Sequence, residues 1–94
     1  MKITEKTVVT RNTQLKPVDI GGQLGMLSAE TGKYIVLNEV GARIWDFASE
    51  PLSAGDIIAR LTEEFDISPD DCREQVLPYL EKLKKERLLS IIKP

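Results

Sequence analysis

Apolar and β-branched residues come first in short runs and later at helical spacing, so the chain divides into a strand-rich beginning and a helical remainder. Thr7-Val8-Val9-Thr10 is β-branched throughout and predicts a first strand. A polar stretch from Arg11 to Lys16 and Pro17 leads to the glycine pair Gly21-Gly22. Gln23 to Leu27 predicts a short second strand, and Lys33-Tyr34-Ile35-Val36-Leu37 gives the strongest strand signal in the chain. Ser28 to Gly32 between them reads as a hairpin loop, with Gly32 free to take a positive φ. Strands two and three are therefore expected to form an antiparallel hairpin. Ile35 and Val36 must face opposite sides of it, so only one of the two can meet the helices.

The period then changes. Asn38 is a good N-cap, and Val40, Ile44, Trp45 and Phe47-Ala48 fall near one helical face. Gly41 inside this helix costs about 1 kcal/mol relative to alanine, unless something packs closely against it. Pro51 ends the helix. Ser53 caps a second, with Asp56 three residues on and an apolar stripe of Ile57, Ile58, Leu61 and Phe65. Ser68 and Pro69 open a third, whose buried face is Cys72, Val76, Leu80 and Leu83. Pro78 interrupts the hydrogen bonding of this helix and predicts a kink, but the stripe continues through it. Leu88 to Ile92 is read as a closing strand or a packed tail. Three strands followed by three helices define a compact α+β domain, winged-helix-like in its order, over residues 1–94.

Composition narrows the chemistry. The 94 residues contain no histidine and one cysteine, which excludes Ser-His and Cys-His nucleophile pairs, His-based metal sites and an internal disulfide. Cys72 falls on a buried helical face, where a thiol is read as packing. No glycine-rich phosphate loop is present. The expectation is a protein that is not an enzyme, with no metal and no cofactor. The lone cysteine and the absence of a signal peptide or a bilayer-length apolar run place it in the cytoplasm, away from membranes.

Charge is distributed unevenly. Residues 1–37 carry five basic and three acidic groups, residues 38–77 three and ten, and residues 78–94 five and two. The segment that would hold a DNA-reading helix is thus the most acidic, which argues against nucleic acid as a partner, because phosphate neutralisation supplies most non-specific affinity. A winged-helix DNA-binding regulator is kept only as an alternative. Lys82, Lys84, Lys85 and Arg87 near the end of the third helix suit its dipole and read as a solvated helix end.

The block Gly32-Lys33-Tyr34-Ile35-Val36-Leu37-Asn38-Glu39-Val40-Gly41-Ala42-Arg43-Ile44-Trp45 resembles the PqqD-like family, the recognition elements of pathways that modify ribosomally made peptides. Ser53 to Leu61 resembles the family's second helix and Gln75 to Leu80 its third, so that the likeness extends over roughly residues 5 to 92. Within the family, the tryptophan and the free-standing length are most like the recognition proteins of lasso-peptide clusters. The chain departs from the family pattern at Ser28 and Gln75, where acidic residues are common. It departs also at Arg87, where the family often has glycine, and this argues against a left-handed helix cap there.

The resemblance implies a mechanism. The leader of a precursor peptide adds as a further strand beside Lys33, Tyr34, Ile35, Val36 and Leu37, with backbone hydrogen bonds giving affinity and side-chain pockets giving selectivity. The third helix supplies the pocket wall. On a helical wheel Asp71, Gln75, Tyr79 and Lys82 flank the buried stripe beside Val76, whereas Leu77 and Lys84 lie on the other flank. The first flank is preferred because the family's aromatic coincides with Tyr79. In lasso systems the leader typically offers a tyrosine and a proline, and a separate peptidase receives it. A peptide chaperone for a radical-enzyme pathway is the alternative. Tyr34 and Tyr79 have a rival reading as core aromatics, and Trp45 is read as core. A β-rich edge guarded by Lys33 alone also leaves edge-to-edge pairing of two copies open.

Overall fold

The computed structural model describes residues 2–12, 15–21, 23–27, 32 and 34–93. The elements are β1 (Val8–Arg11), β2 (Lys16–Ile20), β3 (Gln23–Leu27), β4 (Tyr34–Leu37), α1 (Glu39–Phe47), β5 (Leu52–Ser53), α2 (Ala54–Glu64), α3 (Pro69–Lys85) and β6 (Leu89–Lys93). The strands form two three-stranded sheets, ordered β5-β1-β6 and β2-β3-β4, with antiparallel pairing throughout. No helix among the described residues is long and apolar enough to cross a membrane.

The expected antiparallel sheet and three following helices are present, making an α+β fold, but the strands are assigned differently. The first member of the sheet that precedes the helices is β2, which the polar reading of residues 11 to 16 and Pro17 did not anticipate. Pro17, Val18 and Asp19 are all exposed, so these three carry no alternation of buried and exposed positions to announce a strand. A proline is tolerated because β2 is an edge strand. The 7–10 strand belongs instead to the second sheet, where Thr10 pairs with Ser90 and Arg11 with Leu89. The closing segment after Leu88 is therefore a strand.

Each helix begins on the cap read from the sequence. The side chains of Asn38, Ser53 and Ser68 accept from the backbone N–H groups of Gly41, Asp56 and Asp71 at 2.8, 3.1 and 3.2 Å. The helix stripes meet in one core. Ile44 and Trp45 come from α1, Ile57, Ile58 and Leu61 from α2, and Cys72, Val76, Leu80 and Leu83 from α3. Met26 and Leu37 close it from one sheet, Val9 and Leu89 from the other. Trp45 is buried, with the Arg11 guanidinium 5.3 Å from its ring centroid, as the core reading required. α3 runs unbroken through Pro78, whose ring is on an exposed side.

The end of α3 corrects one expectation. Arg87 does adopt the left-handed conformation, at φ 64°. The Leu88 N–H donates to the Leu83 carbonyl at 2.8 Å and the Arg87 N–H to the Lys84 carbonyl at 2.9 Å, which together make a Schellman cap. Tertiary contacts hold this arginine where glycine is favoured: the Asn12 amide donates to the Arg87 carbonyl, and the Asn12 N–H to the Leu88 carbonyl, both at 2.9 Å. Arg87→Gly keeps those backbone bonds and removes the Cβ conflict. It is expected to stabilise the fold by about 1 kcal/mol, read as a higher urea midpoint with unchanged slope.

Candidate binding groove beside the free strand

Among the described residues β4 has a strand on one side only, that of β3. No described strand pairs with its other side, the position at which a further strand would add. Along β4, Ile35 and Leu37 turn toward the core, while Tyr34 and Val36 are 46% and 48% exposed. The register sets Tyr34 beside Leu27, and Val36 beside Gly25 and thence Val18, so one sheet face carries these exposed apolar groups. The Tyr34 ring lies across Gly25: a Cβ there would meet the Tyr34 hydroxyl and stand 2.7 Å from Cζ. Glycine is thus required at residue 25 for Tyr34 to cover its neighbour strand.

Where β4 ends, Asn38 turns the chain into α1, and a cavity of about 310 Å³ opens. Asn38 and Val40 line it from the start of α1, Leu61, Phe65 and Ile67 from the end of α2 and the following turn, and Cys72, Gln75, Val76 and Tyr79 from α3. Its wall is mostly aliphatic and aromatic, with amides and a phenol as the polar groups. Such a lining suits a neutral, largely apolar side chain.

An ion pair on the outside ties two of these walls together. Arg43 grips the Glu64 carboxylate through Nε and Nη2 at 2.9 and 3.0 Å and reaches Asp46 through Nη1 at 2.9 Å. Its guanidinium also lies 4.8 Å from the Phe47 ring centroid. The bidentate geometry fixes α1 against the last turn of α2, although its exposure limits the energy gained.

The structure gathers some of the residues expected from the sequence and separates others. Gln75, Val76 and Tyr79 lie together on the cavity. Tyr34, Ile35, Val36 and Leu37 lie along the adjoining strand, with Leu37 buried. Lys33 is outside the described residues. Asp71 is exposed in the first turn of α3 and takes no part in lining the cavity, and Lys82 lies beyond it, on a shallow surface with Glu81, Lys84 and Lys85. The cavity spans only the two turns from Cys72 to Tyr79, whereas the helical wheel projects the whole helix onto one circle. Asn38, Val40, Leu61, Phe65, Ile67 and Cys72 are cavity residues that sequence reasoning did not assign to the site. All but Asn38 are apolar, and their spacing could not distinguish a cavity wall from core.

Two groups on the wall are shifted by burial. Desolvation pushes the Tyr79 phenol above its ordinary value and does the same to the Cys72 thiol, so both are neutral at physiological pH. The Cys72 thiol faces the Ile58 carbonyl at 3.9 Å. A buried thiol with a raised pKa packs rather than reacts.

A three-stranded sheet ending in β4, an apolar cavity where β4 turns into α1, and three helices define the class of fold. The model of the family described as coenzyme PQQ synthesis protein D, PqqD, matches residues 24–89, and the chain belongs to this family. A solved structure described as TbiB1 in complex with the TbiA(beta) leader peptide has the same fold: at 22% identity it superimposes with a TM-score of 0.76, covering 86% of this chain and 94% of that one. Among curated proteins none matches the chain.

Proposed function

We propose that the chain is a leader-peptide recognition element, which binds the leader of a ribosomally synthesised precursor by strand addition to β4 and delivers it to a separate processing enzyme. The observation that carries this reading is the junction of a free strand edge with an apolar cavity at Asn38. A peptide added antiparallel to β4 satisfies the edge through its backbone and runs past the cavity, where one of its side chains can be buried. Membership of the PqqD family supports the reading, as does the fold shared with a protein solved with a leader peptide bound. The sequence resemblance further suggests that the buried side chain is a tyrosine and that the receiving enzyme is a leader peptidase of a lasso-peptide pathway. The protein's own part is to bind and orient, with no bond made or broken.

The test is a titration with the leader of the precursor encoded beside this chain, followed by backbone NMR. Saturable shifts confined to residues 34–37 and to Gln75, Val76 and Tyr79 are expected. A folded protein showing no shifts at high leader concentration rejects the reading for that peptide. Tyr79→Ala is expected to weaken leader binding by about 1 to 2 kcal/mol, as loss of a pocket anchor does, while the fold persists. An equal loss of folding stability would identify Tyr79 as a core residue instead. Delivery is tested separately, by adding the chain to the peptidase and precursor and measuring the rate of leader removal.

A further inference from the structure

Gly41 is buried in the first turn of α1, where alanine is favoured by about 1 kcal/mol on helix propensity. A Cβ at this position would collide with the Tyr79 hydroxyl oxygen and would stand 3.3 Å from both Asn38 Oδ1 and Leu37 Cβ. No other atom of Tyr79 lies closer than those two, so the collision is with a single atom. The two other neighbours are fixed. Asn38 Oδ1 accepts the Gly41 N–H at 2.8 Å as the helix cap, and Leu37 is 2% exposed in the core. Tyr79 is the one that can yield. It is half-buried at the edge of the cavity, and its hydroxyl makes no hydrogen bond among the described residues.

We propose that Gly41 is a positioning residue for the binding cavity: its missing Cβ is the seat of the Tyr79 hydroxyl, and that seat sets where the cavity wall stands. With alanine at residue 41, α1 and β4 hold their places and the Tyr79 ring must move, changing the shape of the space between α1 and α3. The glycine therefore acts on the ligand only through the tyrosine. Its importance for a leader peptide rests on the reading proposed above, whereas its control of the cavity does not. The raised pKa of Tyr79 agrees with a phenol held in a partly dry seat.

Four forms of the full chain test the proposal: the wild type, Gly41→Ala, Tyr79→Phe and the double variant. The first probe is p-cresol, the side-chain analogue of tyrosine, followed through the methyl signals of Leu61 and Val76. Gly41→Ala is expected to weaken p-cresol binding about tenfold, as overpacking of a fitted site does. The double variant should bind within about twofold of Tyr79→Phe alone, because the colliding oxygen is gone. Urea midpoints should show the same rescue, with alanine stabilising the helix only in the phenylalanine background. Equal affinities of the wild type and Gly41→Ala, or equal losses in both backgrounds, would overturn the proposal, as would a wild type whose methyl signals ignore p-cresol. If Gly41→Ala does not fold, Tyr79→Phe and the double variant still decide, and a double variant that fails to fold or bind overturns the proposal. Leader peptide is then titrated into the same four forms. The expected cresol pattern with a wild type that ignores leader would reject leader binding and leave the role of Gly41 standing.

Discussion

Val40→Phe is expected to reduce leader affinity by about two orders of magnitude while leaving the protein folded. Val40 lines the cavity from α1 and is only partly buried, so the larger ring has an open space of about 310 Å³ to enter. Occupying that space with the protein's own side chain excludes the ligand's. The peptide would keep its backbone bonds to β4 and lose the apolar burial of its anchor, and burial of one large side chain contributes roughly 1.5 to 3 kcal/mol. The same substitution fills a void in the free protein, so its urea midpoint should equal or exceed that of the wild type. Calorimetric titration beside denaturation separates the two effects. Leader affinity within threefold of wild type would show, by the arithmetic of affinity, that the cavity holds no part of the peptide.

Leu80→Ala is expected to cost about 3 to 4 kcal/mol of folding stability, the range of fully buried leucine truncations. Leu80 has no exposed surface and belongs to the buried stripe of α3, the helix that packs on both α2 and β6. Its removal leaves a void where two layers meet. A domain of this size has about 5 to 15 kcal/mol in total, so the variant should sit near the edge of folding. The site distinguishes this loss from that of Val40→Phe. Leu80 does not line the cavity, although its neighbour Tyr79 does, so the folded fraction at low temperature should bind leader like the wild type. A urea midpoint within experimental error of the wild type would show that this part of the core closes around the deletion.

Local chemistry was legible in the sequence, and long-range pairing was not. Asn38 marked both the end of a strand and the start of a helix, because a cap residue and a change of period coincide there. The caps Ser53, with Asp56 three residues on, and Ser68, before Pro69, are as clear in the structure as in the sequence. β2 was hidden because Pro17, Val18 and Asp19 are exposed alike, so no alternation of buried and exposed positions runs through them. The sheet that contains β1 was hidden because its partners lie far along the chain. At the candidate site, the flank of α3 pointed to Gln75 and Tyr79, which do reach the cavity. It pointed equally to Asp71 and Lys82, because a wheel has no length. Gly41 stood out as a costly residue, but Tyr79, which explains it, comes from another helix. Arg87 misled because sequence preference alone cannot register the two hydrogen bonds from Asn12 that secure its turn.

The division of strands between two sheets has a kinetic consequence. The β2-β3-β4 sheet is a meander of neighbouring segments, so each pairing closes a short loop and carries a small entropy cost. The pairing of Val9 with Ile91 must instead bring together residues from opposite ends of the sequence. That closure gains most after the intervening helices have condensed, which makes it a late event in a chain otherwise dominated by local contacts. Mutations in β1 and β6 should therefore act on the unfolding rate more than on the folding rate. The sheet that holds β4, the strand proposed to receive the peptide, would then be assembled before β1 and β6 pair.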